Sequence, residues 1–168
     1  MEITRQVKWS KESVFITIVA IDILLICLVG CLFFCRQNMA VILTICSATA
    51  VIALAAFYYS PVAIEVNDEA LVVKKRIGTR TITLSSIESV AAFTPIPMLR
   101  NQRVCGSGGL AGYWGWFKEP GVGTYFAYYG NNADCFLLRL KNGRQYVLGC
   151  QDSEPVIVYL SEHIANKQ

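Results

Sequence analysis

The side chains that could do chemistry in this chain are few and lie far apart. Of the seven cysteines, only Cys105, Cys135 and Cys150 lie outside two long apolar runs, and none of them belongs to a C-x-x-C pair. His163 is the single histidine. A zinc site needs a closely spaced set of cysteine and histidine ligands, so we expect no metal and no other cofactor. Unpaired thiols of this kind are compatible with a reducing compartment.

A stretch rich in glycine and aromatic residues runs from Arg103 to Phe117. It lacks the G-K-[ST] ending of a phosphate-binding loop, and Cys105 stands where a nucleophile elbow around Ser107 would have its first glycine. His163 has no recognisable catalytic partner, and no pair of carboxylates is spaced for acid–base chemistry. We therefore predict no catalytic residues and no enzyme activity.

The same stretch has two other interpretations, a ligand-binding loop or a structural cluster in which glycines let large rings pack closely. Aromatic side chains are enriched in the hot spots of protein interfaces, so the exposed ones are a candidate contact surface. Because strand residues alternate between two faces, about half should point inward. The aromatic residues considered are Tyr113, Trp114, Trp116, Phe117, Tyr125, Tyr128 and Tyr129.

Four basic residues, Lys74, Lys75, Arg76 and Arg80, form a second candidate binding site. They lie in or beside two predicted strands, where alternate side chains face opposite sides. They form either a solvated face or a clamp for the headgroups of anionic lipids. Beside an anionic membrane surface, each basic group would contribute about 1 kcal/mol to binding.

Two apolar runs within Val14 to Tyr59 connect these features to a membrane. Each run is about 21 residues long, and as a helix of about 31 Å it would match the hydrocarbon core of a bilayer. Cys35, Arg36, Gln37 and Asn38 separate the runs, which predicts a helical hairpin. Basic residues are concentrated before the first run and after the second, which predicts a two-pass protein of the bacterial inner membrane with both termini in the cytoplasm.

Asp22 is the one ionisable residue near the middle of the first run. A charged group there costs about 2.5–3.5 kcal/mol on insertion scales, so it calls for a partner. Folding the hairpin about residues 36–37 brings Asp22 level with Val51 and within about one helical turn of Ser47 and Thr49. A hydrogen bond to a hydroxyl, a contact within an oligomer and part of an ion path are the three interpretations.

The start of the chain has two interpretations. Residues 1–13 contain Arg5, Lys8, Lys11 and Trp9, which are typical of a short cytoplasmic lead-in to a membrane span. The alternative is a lipoprotein signal, because residues 28–31 resemble a cleavage box that ends at Cys31. The first apolar run is longer than an ordinary signal core and continues beyond Cys31, which favours the uncut hairpin.

From Pro61 onward, short alternating apolar runs predict a mainly β domain over residues 62–165. Gly78-Thr79 and Asn142-Gly143 predict tight hairpins, and Pro95 and Pro97 predict a loop. Apolar residues at helical spacing predict a closing helix from Glu154 to Ala165. The predicted fold is therefore a membrane helical hairpin over residues 14–59 followed by a roll or barrel of about seven strands with a C-terminal helix.

Residues 62–164 resemble the bacterial pleckstrin-homology-like (PH-like) families, in particular a membrane-anchored branch with a glycine and aromatic stretch. The resemblance implies a strongly bent seven-stranded barrel capped by a helix, no catalytic residues, and a role in binding or assembly. Its motifs are the opening Ile64–Leu71, the segment Leu84–Val90, the stretch Gly106–Phe117, the hairpin Leu140–Gly143 and the final helix.

The function expected from these features is a non-catalytic, membrane-anchored PH-like module for protein interaction or assembly at the inner membrane surface. The expected partners are the lipid bilayer and either another protein or further copies of the chain. Lipid or small-ligand binding by the domain, or membership in an oligomeric transport or channel complex, are the alternatives. A net charge of +3 without a basic cluster argues against nucleic acid as a partner.

Overall fold

The computed structural model describes residues 3–34, 38–96 and 102–165. It contains two long helices and a β-rich domain with a C-terminal helix, as predicted. The helices are α1 (Lys11–Phe34), α2 (Met39–Tyr59) and α3 (Glu154–Ala165). The strands are β1 (Ile3–Gln6), β2 (Pro61–Val66), β3 (Ala70–Lys75), β4 (Thr79–Thr83), β5 (Ile87–Ala92), β6 (Gln102–Gly109), β7 (Gly112–Glu119), β8 (Gly123–Tyr129), β9 (Cys135–Leu140) and β10 (Gln145–Gly149).

Helices α1 and α2 form an antiparallel pair that carries most of the exposed apolar surface. Lys11–Cys31 and Met39–Tyr59 are each long and apolar enough to cross a membrane, with mean hydropathies of 2.9 and 2.4. In a bilayer only intrahelical hydrogen bonds satisfy the backbone of such runs, which favours helices. The turn expected at Cys35–Asn38, with Arg36 as its one basic residue, lies outside the described residues except for Asn38.

The first sheet is antiparallel and has the strand order β1-β2-β3-β4. Strand β1 was not predicted; it pairs with β2 through Ile3↔Val66 and Gln6↔Ala63. Since β1 precedes α1 and β2 follows α2, both long helices are inserted between the first two strands of this sheet. Strands β3 and β4 of this sheet are joined by the expected turn, which contains Gly78.

The second sheet has the order β5-β9-β10-β8-β7-β6. All its pairs are antiparallel except β8 with β10, which run parallel through Phe126↔Tyr146 and Tyr128↔Leu148. Asn142 and Gly143 form the predicted turn between β9 and β10. The ten described strands exceed the predicted seven, mainly because β1 and the pair β6 and β7 were not counted as strands.

The stretch Arg103–Phe117 forms the β6–β7 hairpin, whose pairing has a register shift between Arg103 and Cys105. Gly106 and Gly115 lie opposite each other in this hairpin. A Cβ atom at Gly106 would collide with the backbone carbonyl of Trp114, and one at Gly115 with that of Cys105. The two glycines are therefore needed for the close approach of the strands.

Two apolar clusters lie on opposite faces of the second sheet. The larger cluster fills the space between the sheets and includes the fully buried Ile64, Phe136 and Leu138. Helix α3 closes this cluster with Val156 and Leu160, in agreement with the predicted amphipathic helix. The smaller cluster contains Tyr113, Phe117, Tyr125, Ala127, Tyr129, Cys135, Leu137 and Val147. We refer to β1–β10 with α3 as the β domain.

Pro95 lies in an irregular segment after β5, as expected, and Pro97 is outside the described residues. This segment contacts the β domain near Glu119, because the Ile96 amide donates to the Glu119 carboxylate at 3.5 Å. The Tyr125 hydroxyl donates to the same carboxylate at 3.2 Å. Glu119 is thus a buried acid with hydrogen-bond donors around it.

Candidate functional site

The beginning of α1 is bound to the turn of the β6–β7 hairpin; we call this contact the α1 junction. The hydroxyl of the fully buried Ser13 donates to the Gly109 carbonyl at 2.7 Å. The Ala111 amide donates to the Thr17 hydroxyl oxygen at 3.0 Å. Ile16 packs against Gly109. A Cβ atom added at Gly109 would come within 2.8 Å of the Cδ1 atom of Ile16. The α1 junction therefore joins helix and sheet through direct hydrogen bonds and apolar contact.

The lead-in before α1 also lies against the β domain. The Ser10 amide donates to the Gly130 carbonyl at 2.8 Å, and the Gln151 amide donates to the Gln6 carbonyl at 2.9 Å. At the other junction α2 ends at Tyr59, and a single residue, the buried Ser60, precedes β2. Neither long helix is separated from the β domain by a free linker.

Most of the aromatic residues considered for partner contact are buried in the β domain. Tyr113, Phe117, Tyr125 and Tyr129 belong to the smaller apolar cluster, and Tyr128 is 5% exposed. Their contribution is core packing, as expected for about half of the set.

The two tryptophans of β7 remain partly accessible. Trp114 stacks on Tyr59, with ring centroids 5.0 Å apart, and its indole N–H donates to the Leu110 carbonyl at 3.3 Å. Trp116 is 39% exposed. Within the aromatic set, the surface open to a partner is reduced to Trp116 and part of Trp114.

The four basic residues of the second candidate site are separated by the pleat of the strands. Lys74 forms an ion pair with Glu65 on the neighbouring strand. The Arg76 guanidinium lies over Phe57, 5.1 Å from the ring centroid, and also near Trp9. Only Lys75 and Arg80 point into a common cavity.

That cavity, which we call the α2 groove, has a volume of about 430 Å³ and lies between the end of α2 and the β domain. Three basic side chains line it, Lys75, Arg80 and Arg144, and no carboxylate from residues 3–34, 38–96 or 102–165 does. Its other walls are aromatic side chains and one hydroxyl. They are Tyr58, Tyr59, Thr79, Trp116, Phe126, Tyr128 and Tyr146.

Contacts inside the α2 groove hold the cations in place without neutralising them. The Lys75 ammonium lies 4.5 Å from the ring centroid of Tyr58 and 5.4 Å from that of Tyr59. The Arg80 Nη2 atom donates to the Tyr146 hydroxyl at 2.8 Å. Rings attract cations through their electron-rich faces, so Lys75 is oriented by aromatic rings rather than by an acid.

Burial and hydrogen bonding shift the pKa values of the groups in the α2 groove, and the charge of Arg80 adds to the shift at Lys75. Burial lowers the pKa of Lys75, and the nearby charge of Arg80 lowers it further. The hydrogen bond from Arg80 to Tyr146 raises the pKa of Arg80. Burial raises the pKa of Tyr128 to about 12, so this hydroxyl stays neutral near neutral pH. An anion entering the α2 groove would relieve the repulsion between Lys75 and Arg80.

Of the residues that line the α2 groove, Tyr128 was a candidate from the sequence, whereas Arg144, Tyr58, Tyr59 and Tyr146 were not identified as site residues. Tyr146 lies beside Lys75 and Arg80 because β10 pairs in parallel with β8, a non-local pairing that no turn signal announces. The end of α2 contributes Tyr58 and Tyr59, for which the sequence indicated only a membrane-interface position.

Asp22 lies on the outer side of α1, whereas the predicted helical hairpin had it facing α2. It is exposed on α1, and the expected hydrogen bond to Ser47 or Thr49 is not formed. The Ser47 hydroxyl instead donates to the Thr44 carbonyl of its own helix at 2.9 Å. Two residues at the same depth of a helical hairpin can point to different sides of their helices. The depth of Asp22 was therefore not enough to predict a hydrogen bond to Ser47 or Thr49.

The side chains considered for catalysis or metal binding remain dispersed. Within residues 3–34, 38–96 and 102–165, no three His, Cys, Asp or Glu side chains are grouped so that they could hold a metal ion. Burial raises the pKa of the Cys150 thiol to about 12, which makes it a poor nucleophile. The ring of His163 packs on Tyr159, with centroids 4.8 Å apart.

The described residues form a two-sheet β domain that is closed by a C-terminal helix and has an open groove beside the end of α2. The family model for the bacterial PH domain matches residues 62–164, which is more than half of the chain, so the chain belongs to this family. The match begins after β1, α1 and α2. No curated protein and no solved structure matches the chain significantly.

Proposed function

We propose that the protein is a non-catalytic PH-like module for protein interaction or assembly, held by α1 and α2 at the cytoplasmic face of a bacterial inner membrane. The observation that carries this proposal is the direct attachment of both helices to the β domain. Ser60 alone connects α2 to β2, and the α1 junction fixes the other helix. A domain attached in this way reaches only what lies at the membrane surface.

Attachment of this kind compensates for a small contact surface. Tethering raises the effective concentration of the domain for any partner in the same membrane, so a weak contact is sufficient. Trp116 and Val104 provide exposed apolar surface on neighbouring strands, at 39% and 63% exposure. The basic side chains near the ends of α1 and α2 support a cytoplasmic position of the β domain.

Photo-crosslinking in native membranes tests this proposal. A photoreactive amino acid at Trp116 should capture a defined protein or a second copy, whereas the same group at Thr81, an exposed residue of β4, should not. Identical crosslinked products from the two positions would contradict a specific surface on β7. Recovery of the chain in the soluble fraction would contradict anchoring by α1 and α2.

The α2 groove supports a second candidate function, binding of an anionic phospholipid headgroup. Three cations without a facing carboxylate attract a phosphate, and the aromatic wall accepts the apolar part of the lipid near the membrane interface. The position of the groove, at the end of α2, supports a location at the level of the headgroups. This observation favours lipid over a polar small ligand from the cytoplasm.

Binding by the full chain in neutral detergent tests the second function. Titration with a short-chain phosphatidylglycerol should change tryptophan fluorescence, and phosphatidylcholine should not. Replacing Arg80 or Arg144 by Gln should weaken binding about tenfold, because charge-assisted hydrogen bonds to phosphate contribute about 1.5–3 kcal/mol. The matched control is Lys74→Gln, which removes the neighbouring cation outside the groove. Equal loss in the control would indicate non-specific attraction.

Inorganic phosphate distinguishes the two sources of the anion. If phosphate alone displaces the lipid at millimolar concentration, the groove recognises a free anion. If it does not, the acyl chain or glycerol contributes and the ligand is a membrane lipid.

A further inference from the structure

Among the described residues, Asp22 faces away from the elements that pack against α1. The partly covered side chains of α1 recur at Thr17, Ala20, Leu24 and Leu28, and the elements that contact α1 are α2, β6 and β7. At about 100° per residue, Asp22 lies on the opposite side of the helix. Within the described residues it makes no hydrogen bond and no ion pair.

The surroundings of Asp22 are strongly apolar. Ile26 is 71% exposed and Phe33 78% exposed on the same side of α1. Asp22 is the twelfth of the 21 residues in the candidate span, and its short side chain does not reach either membrane surface. Acidic residues in the middle of a span face protein rather than lipid, because lipid offers them no hydrogen-bond donor.

A polar group at the matching depth lies on the outer side of α2. Asp22 is 11 residues from the first residue of α1, and Ser47 is 12 residues from the last residue of α2. At about 1.5 Å per residue, Asp22 lies about 17 Å from the start of α1 and Ser47 about 18 Å from the end of α2. The two helix ends are level because both contact the same hairpin, through Ser13 with Gly109 and through Tyr59 with Trp114.

We infer that the chain assembles with further copies of itself in the membrane, with Asp22 of one copy facing Ser47 of the next. This inference rests on the proposed function, and it identifies the partner as a second copy. Ser47 is exposed, and its hydroxyl rotates from the Thr44 carbonyl to donate to the Asp22 carboxyl group. Each contact satisfies one acidic group that lipid would leave without a donor.

The geometry also determines the kind of assembly. Asp22 and Ser47 lie on the outer sides of α1 and α2, which point away from each other. The contact therefore joins two different surfaces, and such head-to-tail contacts continue until a ring closes. A symmetric dimer through α1 alone would bring two acidic groups together, and at least one of them would have to be protonated to donate to the other.

The first test measures association of the full chain in neutral liposomes. Energy transfer between two fluorophore-labelled populations should rise with the protein-to-lipid ratio. Asp22→Leu and Ser47→Ala should each weaken association about tenfold, or about 1.4 kcal/mol, and Asp22→Asn should largely retain it. Thr49→Val is the matched control, because Thr49 lies on the partly covered side of α2 and not on its outer side.

Association of Asp22→Leu equal to that of the unmodified protein would overturn the inference, and so would a monomer at every protein-to-lipid ratio. If the protein is a monomer at every protein-to-lipid ratio and a different membrane protein is captured through Asp22, the Asp22 side of α1 binds that protein instead. The Leu variant is more apolar than the original and inserts at least as well, so loss of its association is not a failure to enter the membrane.

The second test locates the contact by disulfide formation between two tagged populations. One carries Ile26→Cys and the other Thr44→Cys, both 15 residues from the β-domain ends of their helices. Cys27, Cys31, Cys35, Cys46 and Cys105 are replaced by Ala in both. The inferred assembly gives a 26-to-44 crosslink, whereas a 26-to-26 crosslink alone would show a symmetric α1 contact and overturn it.

Alkaline extraction separates failure of this inference from failure of the proposed function. A chain that stays in the membrane fraction but does not associate contradicts only the self-assembly. A chain released by alkali contradicts the membrane anchoring and with it both proposals.

Discussion

At the beginning of α1, polar groups are used in contacts within the chain, whereas at the end of α2 three basic side chains face an open groove. The α1 junction is filled by Ser13, Thr17 and the hairpin turn, and its hydrogen bonds are 2.7–3.0 Å long. The α2 groove keeps about 430 Å³ open and carries uncompensated charge. The closed junction fixes the domain on its helices, and the open one is suited to a ligand.

The two junctions are built from the same glycine and aromatic stretch. Its turn, at Gly109 and Ala111, belongs to the α1 junction, while Trp116 of the same hairpin lines the α2 groove. The sequence was compatible with two interpretations of this stretch, a structural one and a ligand-binding one. The structure supports the structural interpretation for its turn and leaves its other end accessible.

The largest expected effect comes from filling the space between β6 and β7. Gly106→Ala should lower the free energy of unfolding by about 3 kcal/mol or more, because the new Cβ would collide with the Trp114 carbonyl and because Gly106 has a φ of 126°. Denaturant titration in detergent measures the change. Gly121→Ala is the matched control, since its φ is 84° but no atom lies within 4 Å. Equal losses would show that close approach is unimportant.

Removing the hydroxyl of Ser13 should have a smaller effect on the closed junction. Ser13→Ala leaves the buried Gly109 carbonyl with only the longer hydrogen bond from the Thr17 hydroxyl, at 3.3 Å, and should lower the free energy of unfolding by about 1–3 kcal/mol. Ser161→Ala serves as the control in α3, because that hydroxyl is exposed and bonds only to the Ile157 carbonyl of its own helix. A stable Ser13→Ala protein would show that the α1 junction is not what holds the hairpin.

The open junction should show a dependence on pH. Lys75 binds an anion only while protonated, and its pKa is lowered from 10.5 by burial and by Arg80. Affinity for phosphatidylglycerol should therefore be full below the lowered pKa and should fall as the pH rises through it. Lys75→Gln should remove this dependence and leave a weaker, flatter profile. An unchanged profile in the variant would assign the titration to another group.

The smallest effect is expected at Lys74, one residue away from the groove. Lys74→Gln removes an ion pair with Glu65 whose lysine is about half exposed, and such pairs contribute about 0–1 kcal/mol. The free energy of unfolding and the affinity for anionic lipid should both stay near their original values. A large loss of lipid affinity would mean that charge near the membrane matters more than the shape of the α2 groove.

Local signals in the sequence predicted much of this fold. Asn142-Gly143 predicts its hairpin through backbone preference, and the spacing of Val156 and Leu160 predicts the buried side of α3. Strand β1 had no such signal, because Ile3 is the only strongly apolar residue of its four. It is a strand because β2 offers an unpaired edge.

The candidate site depends on non-local pairing and was predicted only in part. Lys75 and Arg80 share a face across the β3–β4 hairpin, which alternation alone does not show. Arg144 joins them because the parallel pairing of β8 and β10 brings the start of β10 to the end of α2. The direction of Asp22 likewise depends on the side of α1 that packs against α2.

Because α1 and α2 lie between β1 and β2 in the chain, the first sheet can be completed only after both helices have been synthesised. Strand β1 leaves the ribosome first, but its partner emerges only after both apolar helices have been made. In a membrane the two strands meet only when the helices cross as a pair and return the chain to its starting side. A hairpin with one span left outside the bilayer would keep β1 and β2 on opposite sides, so a completed first sheet reports correct insertion.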